Sequence, residues 1–480
     1  MALKWTNKAQ GALNSSADRK LRISSLTKAI GLASVVGAAS ALSPAAQALK
    51  TDFGVEYRAT GFYAQSGAFD VAGDPRNDND NGFAHLIRVK SDFLDEDTGI
   101  SLHTSVELAG DRWSGDARNY TTAPPSGAPS HDYYPSGNQA FNKGNPGDNV
   151  RLDLGYLQIP FGHTVLRVGR QATSYNNCFL VCDDRRDRVL LIQPFSKTFQ
   201  VLAIYDRRRD LDTFENTDNG DQFVFGFVSK PMGLDISALY IKYLKNYEGD
   251  ITQATNTSGP YAVSGADLFS GYISGNIGEV AKATVGANYF TNGKVTTPAN
   301  NGQFVTEDAL SQYIRLEGSV GVMDWGVQYV GAQDGGYISP GFDTYSSLIQ
   351  NNPESTANPT SLYTMAQSYG VEGYDESVLA GKLTWNVTPK LAITGAVGQL
   401  DIDNPAPPGG NNSVSDESTF YDLQLSYQVN KTLRTWVTYG ILEENEAGAL
   451  SGNTLLGALP SADFSQDDVQ AASVNLAVSF

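Results

Sequence analysis

From residue 53 to the C-terminus the chain repeats one cycle: an alternating segment, a long polar connection, a second alternating segment, then a tight turn. Period-2 alternation means one wetted and one apolar face, and alternating long and short connections mean antiparallel neighbours. Phe53 to Tyr63 sets Phe53, Val55, Tyr57 and Tyr63 against Glu56, Arg58 and Thr60. Phe83 to Phe93 sets Ile87, Val89 and Phe93 against Arg88, Lys90 and Asp92, and Asp95-Glu96-Asp97-Thr98-Gly99 turns into Ile100 to Ala109. The cycle runs through eighteen such segments, the last being Ala471 to Phe480.

An even count with both ends on one side is what a membrane β-barrel requires, and about ten residues suffice for a tilted strand to cross. The expected fold is therefore all-β, an 18-stranded antiparallel transmembrane barrel with short periplasmic turns and long extracellular loops. Composition agrees: 48 Gly, 24 Tyr and 21 Phe stand beside only 4 Met, and the mean hydropathy of -0.28 is too low for spanning helices. A soluble propeller would show four strands per blade instead of alternating connections. Tyr63, Tyr205, Tyr240, Tyr289, Tyr329 and Tyr439 fall at the loop ends of apolar faces, and Trp325, Trp385, Tyr427 and Phe480 at the turn ends. These are the two aromatic girdles of such a barrel.

Register follows from cost. An Arg or Lys facing lipid at mid-bilayer costs about 2–4 kcal/mol, so the faces carrying Arg58, Arg88, Lys90, Arg151, Arg167, Arg315, Lys382 and Arg434 must line the lumen. Acids such as Glu317 share those faces and nearly balance the bases. The net charge of -18 thus resides in loops and turns, Asp221 among them. That sign excludes nucleic acid as a partner, which needs a basic face.

Lys20, Arg22 and Lys28 precede an apolar run, Ala29 to Leu42, and then Ser43-Pro44-Ala45-Ala46-Gln47-Ala48. That is a secretory signal, removed at about residue 48, leaving 49–480 as the barrel. In an exported chain the lone pair Cys178 and Cys182 reads as a disulfide. The pair sits inside the one concentrated basic stretch, Arg167 to Arg209. If the third long loop folds inward, Arg185, Arg186 and Arg188 face passing solute and meet Asp183, Asp184 and Asp187; the alternative is an Arg/Asp network that braces the wall.

Leu166-Arg167-Val168-Gly169-Arg170-Gln171 followed by Asp184-Arg185-Arg186-Asp187-Arg188 resembles the mid-chain signature of alginate-export-type and related eighteen-stranded porins. The resemblance implies a Gram-negative outer-membrane conduit for solutes or polyanions with arginines at its constriction.

The four His are scattered, and no catalytic motif, cofactor site or metal cluster stands out. Asn77 to Gly82 has acids one place off the positions of a calcium loop. The expectation is a water-filled channel for passive diffusion of small hydrophilic solutes or ions. Alternatives are an anionic-polysaccharide exporter, an adhesin using Gln333 to Glu376, and a rim-active enzyme. Expected partners are outer-membrane lipid, lipopolysaccharide and the barrel-assembly machinery, for which Phe480 is the C-terminal signal. Ala281, Ala283 and Ala287 form the one small-residue strip on which a homotrimer would rest.

Overall fold

A computed structural model describes residues 49–65, 79–112, 151–209, 220–244, 266–291, 308–339, 341–349, 365, 373, 375–404, 414–443 and 468–480. The expected leader at 1–48 and most of the long connections lie outside these residues.

Eighteen strands are present: β1 Leu49–Gln65, β2 Asn79–Asp95, β3 Ser101–Arg112, β4 Arg151–Phe161, β5 Thr164–Tyr175, β6 Val181–Pro194, β7 Phe199–Arg209, β8 Gly220–Ser229 and β9 Asp235–Tyr243. They continue as β10 Asp267–Ile277, β11 Ala281–Thr291, β12 Asp308–Val320, β13 Met323–Gln333, β14 Asp375–Asn386, β15 Leu391–Asn404, β16 Val414–Gln428, β17 Leu433–Glu443 and β18 Val469–Ser479. Each pairs antiparallel with its sequence neighbour, and β18 returns to β1, from Glu56↔Ser479 to Gln65↔Gln470. The Phe480 N–H donates to the Val55 carbonyl at 3.0 Å, extending the closure by one residue. Among the described residues the wall closes on itself without an edge strand, as a spanning barrel demands.

The wall separates its two faces as the alternation requires. Phe53, Phe225, Ile273, Leu379, Leu423 and Val474 are each about half exposed on the outer face, and Tyr63, Tyr289, Tyr329 and Tyr439 ring its loop end. Trp385, Tyr427 and Phe480 mark the turn end. Ala281, Ala283 and Ala287 share the outward face of β11 with exposed Val285.

Short turns are built from local side-chain bonds. Thr98 Oγ1 donates to Asp95 Oδ2 at 2.6 Å and the Asp97 N–H to Asp95 Oδ1 at 3.1 Å. Gly99 then takes a φ of +72°, which a side chain rarely adopts. One register slip shapes the lumen. Between β3 and β4 the pairing passes from Ser105↔Leu154 to Val106↔Leu152, so Asp153 is the extra residue of a bulge and turns inward, buried.

Candidate functional site: two segments folded into the lumen

The hairpin of β5 and β6 leaves the wall. Pairing of β4 with β5 stops at Gly155↔Arg170, and pairing of β6 with β7 stops at Asp187↔Arg207. β5 and β6 continue together to Tyr175↔Val181. Beyond Arg170 and Asp187 they are thus a two-stranded ribbon paired only with itself. Its tip crosses the lumen to the wall at β10–β12, where Asn176 Nδ2 donates to Ser270 Oγ at 3.1 Å, the Ala287 carbonyl at 3.0 Å and Asn288 Oδ1 at 3.1 Å. Asn177 Nδ2 donates to Tyr313 Oη at 3.0 Å. Phe179, fully buried, packs between Tyr313 and Phe342 with centroids 4.7 and 4.9 Å away.

Local chemistry explains the tip. Asn176, Asn177 and Cys178 all have positive φ, a region asparagine tolerates better than most residues, and the Cys178–Cys182 disulfide joins the two arms there. Gly286 makes room on the far wall: a Cβ there would lie 2.7 Å from Asn176 Oδ1.

A second segment, 335–349, follows β13 inward. The Asp343 carbonyl accepts from Arg315 Nη2 at 2.7 Å and Gln328 Nε2 at 3.0 Å, and the Ser347 N–H and Oγ both donate to Asp422. Arg315 lies between the Phe342 and Tyr345 rings, 5.0 and 5.2 Å from their centroids. Tyr345 Oη donates to Glu317 Oε1 at 3.1 Å, and burial raises the phenol's pKa, so it stays a donor. Ile338, Phe342, Leu348 and Ile349 are fully buried against Val330, Val378, Leu400, Ile402, Phe420 and Leu442.

That packing corrects the expectation that inner faces are polar throughout. Toward the outer ends of β13–β18 both faces are apolar, because the inner one meets a folded segment instead of water. The signal was present in Val378-Leu379-Ala380 and Ile441-Leu442, where alternation fails. Val189 to Ile192 is resolved likewise: Val189 and Leu191 face outward, while Leu190 and Ile192 join a second inner apolar cluster with Ile204, Leu239 and Phe290.

A second set of charged residues runs along β1–β4 and the near face of the ribbon. Glu56 takes Arg58 at 2.6 Å and Lys90 at 2.9 Å, and His103 hydrogen-bonds Asp92 at 2.7 Å. Arg88 lies 3.4 Å from both Glu107 and Asp153, and Arg185 reaches Asp153 and Asp183 at 2.6 Å each. Asp153, turned in by its bulge, ties ribbon to wall. Arg151 pairs through its backbone with Glu107; its side chain lies outside the described set.

Elsewhere, Arg167 Nε donates to Gln158 Oε1 at 2.8 Å, with its guanidinium over Tyr156. Arg186 pairs with Asp184 at 2.6 Å, and Arg188 with fully buried Asp206 at 2.8 Å. Lys382 lies 3.4 Å from Glu317 and over the Tyr345 ring, and exposed Arg434 lies over Trp436.

Two sequence expectations change. Arg185, Arg186 and Arg188 stand on β6, which begins at Val181, so the basic cluster belongs to a paired strand and not to a loop. Strand parity puts Arg170 and Arg207 on the outer face, Arg170 3.6 Å from Asp187 and Arg207 3.2 Å from Asp221. Asp221 is the second residue of β8 and nearly buried, not a solvated loop acid.

No protein-family model and no curated protein matches this sequence. Solved structures do. Outer membrane protein OpdK of Pseudomonas aeruginosa superposes with a TM-score of 0.52 at 11% identity, over 90% of this chain and 98% of that one. OpdQ of the same organism gives the same values. OccAB2 of Acinetobacter baumannii gives 0.50 at 11% identity, over 89% and 98%. In fold, the chain is an eighteen-stranded β-barrel of the Gram-negative outer-membrane type.

Proposed function

We propose that the protein is a passive channel for small hydrophilic solutes or ions, with its route along the charged sector between β1–β4 and the near face of the β5–β6 ribbon. The carrying observation is the division of the lumen. On one side, buried apolar side chains fill the space under the folded segments. On the other, Lys90, Asp92 and Asp183 keep 41%, 54% and 41% of their side chains exposed. Water and ions follow the polar side, because an apolar constriction expels them.

Carboxylates match the bases there, which supports weak ionic selectivity more than conduction of a polyanion. An anionic-polysaccharide conduit is thus the less supported alternative. Arg185, 15% exposed between Asp153 and Asp183, both ties the ribbon to the wall and is the proposed selectivity residue; Arg88 and Arg188, 7% and 3% exposed on their carboxylates, are proposed braces. The test is a reversal potential across a planar bilayer under a salt gradient. Replacing Arg185 and Arg186 by Ala should shift it toward cations, and an unchanged value would move both residues to the bracing role.

A further inference from the structure

The outer face carries charges of its own, arranged in a repeated unit. Between β7 and β8, Tyr205 Oη donates to Asp221 Oδ2 at 2.7 Å and Arg207 Nε to Asp221 Oδ1 at 3.2 Å. Between β9 and β10 the unit recurs: Tyr240 Oη donates to Asp267 Oδ1 at 2.5 Å and Lys242 Nζ to Asp267 Oδ2 at 2.9 Å. The residues share strand faces with Phe223 and Phe269, about half exposed, so they point toward lipid. Asp221 is the second residue of its strand and Asp267 the first, each after a long connection, which sets the units at the outer interface.

Within each unit, exposure divides by sign. Arg207 and Lys242 are each 38% exposed, whereas Asp221 is 5% and Asp267 12% exposed. The carboxylate holds the cation in place and the cation is what faces outward. Beside the second unit runs an open groove of about 480 Å³, lined by Tyr240, Asp267, Phe269 and Thr291. The cations lie two strands apart, on the order of 10 Å.

We propose that this face is a docking strip for the phosphorylated headgroup of an outer-leaflet glycolipid, with Arg207 and Lys242 on its phosphates and the groove taking the adjoining sugar or acyl segment. Charge complementarity argues for this occupant: cations over buried acids, at headgroup depth, meet phosphate with a charge-assisted bond. The proposal rests on the membrane-barrel reading and is independent of conduction.

The test follows thermal unfolding of the full barrel in neutral detergent during titration with bisphosphorylated lipid A, the same lipid dephosphorylated, or inorganic phosphate. Only the first should raise the transition temperature. Apparent affinity should fall at least tenfold in an Arg207→Gln/Lys242→Gln variant and persist when Lys90 in the lumen is replaced by Gln. If the double variant does not fold, protection of Lys242 from an amine-acylating reagent by lipid A, read by mass spectrometry on the native chain against Lys90, tests the same contact. Equal stabilisation by the dephosphorylated lipid, an unaltered double variant or an unprotected Lys242 would overturn the proposal. So would a change in chain number per particle with lipid binding intact, which would make the strip a contact between copies.

Discussion

Along β1–β4 the inner wall keeps its charges, and nearly every base sits on an acid; along β13–β18 the corresponding faces bury Val378, Leu400, Ile402 and Phe420 under a folded segment. Both sectors belong to one continuous sheet, and lipid imposes the same outer face on each. The difference lies in what the inner face meets. Where it meets water, charge is cheap and alternation is preserved; where it meets protein, burial drives the inner positions apolar and the strand reads as a continuous hydrophobic run. Variants in the filled sector should therefore cost stability, and variants in the charged sector should change selectivity.

The largest effect is expected at the base of the ribbon, where β6 joins the wall. Asp206 is fully buried and accepts from Arg188 and Gln222. Replacing it by Ala strands a buried guanidinium, a change costing about 3–5 kcal/mol. Urea unfolding in detergent checks this, and an unchanged midpoint would show that the pair is not a brace. Leu348→Ala, in the filled sector, should cost about 2–5 kcal/mol and raise single-channel conductance as the segment loosens. Stability lost without any conductance change would mean the segment borders no part of the route.

At Gly440 a Cβ would lie 2.5 Å from Ser347 Oγ and 2.6 Å from Asp422 Oδ1. Gly440→Val should thus unseat the same segment, read as faster proteolysis within 335–349. Smallest in stability is Lys90→Gln. Its partner Glu56 is shared with Arg58 and Lys90 is well exposed, so the loss should stay within about 1 kcal/mol. Its reversal potential should nevertheless move toward cations. A stability loss as large as that of Asp206→Ala would erase the distinction between sectors.

Strand number, order and facing were legible in the sequence because lipid enforces them residue by residue. Slipping Phe53 to Tyr63 by one position would have put Arg58 into hydrocarbon, so only slips by an even number keep the facing. The aromatic girdles were legible for the same reason. What lay hidden depended on long-range packing: that β5 and β6 leave the wall at Arg170 and Asp187, and that residues 335–349 fill a sector of lumen. The bulge at Asp153 was equally hidden, since one extra residue in Arg151 to Leu157 leaves its alternation readable either way. The outward ion pair of Arg207 was hidden too, because its carboxylate partner Asp221 lies across a long connection.

The central claim is that a hydrated route passes along the charged sector while folded segments fill the outer ends of β13–β18. Single-channel recording of the purified protein in a planar bilayer tests it most directly. Wild type should give discrete ohmic conductance with weak ion selectivity, shifted toward cations by Arg185→Ala. A bilayer that stays silent with correctly folded protein inserted would contradict it.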